Sequence, residues 1–149
     1  MGKKREFTFL SADGKTQIHA IEWLPDGEPR AVFQITHGMI EHMDRYDGLG
    51  SFLSDNGFYV VGHDHLGHGG TAKKPEDYGY FGDKNGDVMV LSDMHELRRI
   101  AGEKHPDIPY FMLGHSMGSY FLRRYIAMHG KGSGAPSYWA RGPIRGLLL

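Results

Sequence analysis

The chain has 149 residues, 40% of them hydrophobic, and a formal charge of −1, which suits one globular domain and offers nucleic acid no basic surface. No apolar stretch approaches the roughly 18 residues needed to span a bilayer, and the basic start Met1-Gly2-Lys3-Lys4-Arg5 runs into Glu6 and alternating residues instead of a signal core. The absence of cysteine excludes disulfides and thiol catalysis, and the expected location is cytoplasmic.

In chain order, Glu6 to Leu10 and Gln17 to Trp23 flank Ser11-Ala12-Asp13-Gly14-Lys15, whose Asp-Gly step predicts a β-hairpin. Pro25-Asp26-Gly27-Glu28-Pro29 reads as a loop, and Ala31 to Thr36 as a buried strand that ends at His37-Gly38-Met39. A helix is expected from Arg45 to Asp55, with Leu49, Phe52 and Leu53 toward one side and a stop at Asn56-Gly57. Phe58 to Val61 resumes as a strand. A longer helix near Asp87 to Glu103 spaces Val90, Met94, Leu97 and Ala101 by four, three and four, and His105-Pro106 closes it. Tyr110 to Leu113 is a further strand and Ser116 to His129 a helix without proline. Alternating strands and helices predict an α/β fold: a mostly parallel sheet with helices on both faces.

Gly114-His115-Ser116-Met117-Gly118 sits where that last strand meets that last helix. A serine hydroxyl is a poor nucleophile at neutral pH, so it needs a base and a turn that lifts its oxygen above the sheet. G-x-S-x-G supplies the turn, and glycines flank the serine because strand and helix pass too close there for a Cβ. Chance alone would give about 0.17 such pentapeptides at this glycine content, so the strand–turn–helix order carries the weight. The chemistry implied is that of a serine hydrolase. The His37-Gly38-Met39 loop can offer a backbone N–H to an oxyanion.

His37-Gly38-Met39-Ile40-Glu41-His42 with Arg45-Tyr46 resembles the H-G-x-x-E-H-x-x-R-Y signature of the monoacylglycerol lipases and related lysophospholipases, serine aminopeptidase S33-type α/β-hydrolases. Asp64-His65-Leu66-Gly67-His68-Gly69 matches their D-H-x-G-H-G loop, with leucine where the family usually has arginine. With the pentapeptide, three motifs stand in the family's order across residues 6 to 130. The resemblance implies an α/β-hydrolase fold and hydrolysis of a small-molecule or lipid-like ester without a cofactor. It implies Ser116 as nucleophile and the backbone N–H groups of Met39 and Met117 as the oxyanion hole.

Rigid support for that loop is expected from His37, Gly38, Glu41, His42, Arg45 and Tyr46, with Asp64, His65, Gly114 and Gly118 also structural. His63, Asp64, His65 and His68 could alternatively be read as metal ligands. The favoured reading has them hydrogen-bonding neighbouring loops, with no metal. His115 adjoins the serine, but neighbouring side chains at a sharp turn diverge, so it is not expected to be the base.

In this fold the triad runs Ser, then Asp or Glu, then His. No Asp or Glu follows Ser116, and the single later histidine, His129, should lie roughly 20 Å away along the helix. The chain is therefore expected to be the family's N-terminal half over residues 1–132, truncated after the nucleophile helix and inactive or nearly so. Where the family has its sixth strand, residues 133–149 begin Ser133-Gly134-Ala135-Pro136, and proline argues against a central strand. Shifted by one frame, those codons can spell an aliphatic run and Leu-Gly, so the tail reads either as frame-shifted near Gly132 or as a divergent natural end. Either way Tyr110 to Leu113 is expected to have an exposed edge, through which the chain self-associates. A non-catalytic interaction module remains the rival reading.

Overall fold

A computed structural model describes residues 2–129 and 145–148. Six strands form one sheet: β1 (Lys3–Leu10), β2 (Gln17–Leu24), β3 (Ala31–Thr36), β4 (Phe58–His63), β5 (Tyr110–Gly114) and β6 (Arg145–Leu148). Their order is β1-β2-β4-β3-β5-β6, with β1 and β2 antiparallel and every pair from β4 to β6 parallel. The predicted hairpin is present, Leu10 facing Gln17 across the turn.

Helices α2 (Gly86–Lys104) and α3 (Met117–His129) cover one face and α1 (Asp47–Asp55) the other. Strand alternation sorts the core accordingly. Val32, Tyr59 and Val61 point toward Leu97 and Ala101 of α2, while Ile35 and Val60 join Trp23 and Met43 on the α1 side. The spacing in α2 is as expected, with Val90, Met94, Leu97 and Ala101 all buried, and the described residues form the expected mostly parallel sheet with helices on both faces.

Two expectations fail. A tight 3-10 turn, Met43–Tyr46, precedes α1, which buries Gly50 and Ser54; of the three expected apolar residues Leu53 packs against the core while Leu49 and Phe52 stand exposed. The cause is Trp23: a Cβ on Gly50 would lie 2.5 Å from its Cδ2, so the smallest residue, not the largest, faces the sheet. Second, β5 has no free edge. Phe111 to Gly114 pair in parallel with Arg145 to Leu148, so self-association through that edge loses its basis, and a sixth strand is present. An unpaired row of N–H and C=O groups is costly, and the Gly146-Leu147-Leu148 run, beyond Pro143, satisfies it. The expected boundary at 132/133 lies outside the described residues.

Candidate active site

Three chain segments converge at the C-terminal ends of β3, β4 and β5, where parallel α/β sheets place their ligands. The β5–α3 turn carries Ser116 with φ +55°, a left-handed conformation costing a non-glycine residue about 1–3 kcal/mol, and leaves it exposed. Its flanking glycines are required by contact. A Cβ on Gly114 would lie 2.5 Å from the Gly118 carbonyl oxygen, and one on Gly118 would collide with the carbonyls of Thr36 and His37. Met117 begins α3, so its N–H has no acceptor within the helix.

The β3 loop lies against this elbow. A Cβ on Gly38 would sit 3.0 Å from the His115 carbonyl oxygen and 3.1 Å from the Ser116 Cβ. Glu41 fixes the loop: its Oε1 accepts from the Gly38 N–H, from Tyr46 Oη at 2.6 Å and from His115 Nδ1 at 3.2 Å. Burial pushes the Glu41 carboxyl up, but the bonds from Tyr46, Gly38 and His115 outweigh it and hold it below its ordinary value. Glu41 thus bonds both Tyr46 and the backbone of the β3 loop. His42 and Arg45 are surface side chains.

The β4 loop is organised by Asp64, which accepts from the N–H of Met43 at 2.7 Å and of Gly70 at 2.8 Å, and pairs with His19 Nδ1 at 2.8 Å. Burial opposes its charge, yet these donors hold its pKa down. His37 and His65 lock the β3 and β4 loops together. The His65 N–H donates to His37 Nε2 at 3.1 Å and His65 Nε2 donates to the His37 carbonyl at 2.9 Å, which fixes the tautomers. Desolvation lowers His37 to about 4 and His63 to about 3, and pushes His65 well down, so all three are neutral. Both His37 ring nitrogens and His65 Nε2 are engaged in hydrogen bonds, whereas, among the described residues, both ring nitrogens of His63 and Nδ1 of His65 are buried without a hydrogen-bond partner, and no three His, Asp or Glu side chains are grouped to hold a metal ion. His129 stacks on His95, centroids 4.1 Å apart, at the far end of α3 from the elbow.

Beside the elbow opens a cavity of about 450 Å³, walled mainly by Met39, Ile40, His42, Tyr78, Phe81 and Met117. Met39 and Met117 are the two residues whose N–H groups the sequence nominates for the oxyanion. Ile40 is 87% exposed and, like Ser116, takes a positive φ, +56°. Sequence reasoning missed Ile40, Tyr78 and Phe81 as wall residues, and His19 as a partner of Asp64. Only an unusual φ at a β-branched residue could have flagged Ile40, and no sequence pattern reports that.

The sequence profile of the serine aminopeptidase S33 family matches residues 27–135, well over half the chain. The chain belongs to the serine aminopeptidase S33 family. Among its members' relatives, monoglyceride lipase of Mus musculus is 34% identical over 116 residues, covering 73% of this chain and 34% of the mouse protein. Monoacylglycerol lipase of Mycolicibacterium smegmatis is 31% identical over 129 residues, covering 85% of this chain and 42% of its own length. A thermostable carboxyl esterase from Bacillus coagulans, solved in complex with glycerol, superposes with a TM-score of 0.80 at 42% identity, covering 87% of this chain and 41% of that one. The S33 chain thus spans about a third to two fifths of the length of these relatives. No helix among its described residues is long and apolar enough to cross a membrane.

Proposed function

We propose that this chain carries the nucleophile and oxyanion hole of a serine ester hydrolase of the monoacylglycerol lipase type, acting on small or lipid-like carboxylic esters. The observation that carries the reading is Ser116 itself: exposed, at φ +55°, at the end of a central strand and within a Cβ contact of the Gly38 loop. Strain of this kind persists only where the surroundings enforce it, and here Gly114 and Gly118 permit the backbone contacts that do so.

In the mechanism, Ser116 Oγ attacks the ester carbonyl carbon and its proton passes to a base. The carbonyl oxygen becomes an oxyanion between the N–H groups of Met39 and Met117, one presented by the loop Glu41 braces and one by the start of α3. The positive end of the α3 dipole adds to that stabilisation. The C–O bond to the alcohol then breaks as the base returns its proton to the departing oxygen, and water attacks the acyl-serine to release the acid and restore the Ser116 hydroxyl. His115 is committed to Glu41, and His37 and His65 to each other, so the base and its carboxylate are assigned to none of these residues. By itself the 149-residue chain is expected to turn over esters slowly or not at all; in serine proteases, oxyanion hole and binding alone retain only about 10³ to 10⁴-fold over water.

Labelling with a fluorophosphonate, compared between the natural chain and Ser116→Ala, tests the nucleophile, and p-nitrophenyl butyrate turnover tests the base. Labelling confined to Ser116 supports the reading. No labelling would favour an interaction module, and Ser116-dependent turnover at ordinary enzyme rates would show that a base is present after all.

A further inference from the structure

We propose that Ile40 selects the substrate's acyl group, by standing in the cavity that receives the acyl chain once the ester carbonyl is held between Met39 and Met117. The proposal rests on the nucleophile reading above. Its own basis is separate.

Ile40 incurs two costs that folding does not explain. It is a β-branched residue at φ +56°, where glycine would be unstrained, and it exposes 87% of its surface to water. It joins none of the three hydrophobic clusters of the core. Backbone strain at a position that contributes nothing to packing points to a role in binding. From this left-handed backbone Ile40 lines the cavity together with Met39, Tyr78 and Phe81. The loop that carries Tyr78 and Phe81 is itself tied down, the Gly79 N–H donating to the Gly67 carbonyl at 2.8 Å.

The cavity's chemistry names the ligand class. Its volume of about 450 Å³ is in the range of small-molecule sites. Methionine, isoleucine and aromatic side chains dominate the wall, with no lysine or arginine to attract a phosphate or carboxylate. Met39 and Met117 line this wall and also carry the N–H groups proposed above to hold the oxyanion, so a group bound here lies next to the reacting carbonyl. An unbranched alkyl acyl chain fits those terms. Tyr78 and Ile40, both exposed, mark the mouth, where a longer chain would cover surface that is otherwise wet.

The test compares the natural chain with Ile40→Gly and Ile40→Ala. Alanine removes the side chain but keeps a Cβ in the left-handed region, whereas glycine removes both side chain and strain. Rates of Ser116 labelling are measured with an ethyl and a dodecyl fluorophosphonate. The dodecyl-to-ethyl rate ratio should fall by about tenfold in both variants, on losing one partly covered aliphatic side chain. Only Ile40→Gly should raise the melting temperature. An unchanged ratio in both variants overturns the proposal, leaving Ile40 as tolerated strain. A ratio altered by glycine alone also overturns it, because backbone freedom and not the side chain would then be responsible. Binding of the non-hydrolysable ether 1-O-dodecylglycerol to the Ser116→Ala chain, followed by saturation-transfer NMR, separates the two readings. If Ser116 labels with neither reagent, the hydrolase reading falls; ether binding weakened by adding Ile40→Gly still supports the cavity, and binding unchanged by it refutes the cavity.

Discussion

Gly38 and Ser116, 78 positions apart in sequence, meet at the top of the sheet closely enough that a Cβ on the first would stand 3.1 Å from the Cβ of the second. The β3 loop can therefore approach the Ser116 turn this closely only because residue 38 lacks a side chain. Gly38→Ala must push the two segments apart by a few tenths of an ångström. We expect its fluorophosphonate labelling rate to fall at least tenfold while the fold is retained, since misplacement near 1 Å at a reacting centre can cost about 10²-fold. Labelling at the natural rate would show that the loop has room to spare.

Two glycine-to-alanine changes should move stability in opposite directions. Gly118→Ala forces a Cβ onto the Thr36 and His37 carbonyls and should destabilise by about 3 kcal/mol or prevent folding. Gly102 lies inside α2 with open space around its would-be Cβ, so Gly102→Ala should stabilise by about 0.5–1 kcal/mol. Urea unfolding of the two variants checks the pair, and a stable Gly118→Ala chain would contradict the elbow geometry.

Tyr46→Phe removes one of three donors to Glu41 and nothing else of substance. The loss should be about 1 kcal/mol of stability. Because Glu41 braces the Gly38 N–H, slower Ser116 labelling should accompany it. A variant that loses stability but labels at the full rate would confine Tyr46 to a packing role.

Acid should destabilise the chain in the range where histidines, not ordinary carboxylates, take up protons. His37, His63 and His65 have folded pKa values pushed below the ordinary 6.5 by burial, so between about 6.5 and 4 the unfolded chain binds more protons than the folded one. Stability then rises with pH across that window and is lost as pH falls, by up to about 1.4 kcal/mol per pH unit for each histidine. Asp93 works in the other direction, because burial raises its carboxyl to about 6 and the folded state holds that proton more tightly. His19 does likewise: burial lowers its pKa, but Asp64 and Glu6 more than reverse this, so its charged form favours folding at low pH. The histidines prevail by number and depth of burial. Calorimetric melts at pH 7.5, 6.0 and 5.0 should show falling midpoints; a midpoint that rises on acidification would contradict the buried neutral cluster.

What could be read directly was whatever local backbone geometry imposes. The Asp13-Gly14 turn, the spacing of Val90, Met94, Leu97 and Ala101, the stop at Asn56-Gly57 and the glycines around Ser116 each follow from the conformations of a few adjacent residues, and each stands where it was expected. The face of α1 was misjudged because periodicity ranks residues by hydrophobicity, whereas Trp23 on β2 demands a small neighbour at Gly50.

The sequence by itself determined the α/β fold, the S33 family and the strand–turn–helix at Ser116, because a strand, a strained turn and a helix are specified by residue types at short range. Only the tertiary structure decided that Glu41 braces both Gly38 and His115, that His19 completes the partners of Asp64, that Ile40 shares a cavity wall with Phe81 and Met117, and that β6 closes the edge of β5. Those contacts depend on the order β1-β2-β4-β3-β5-β6, which brings segments distant in sequence to the same end of parallel strands. A periodic pattern ranks the sides of an element by hydrophobicity; it carries no information about which other element will be there.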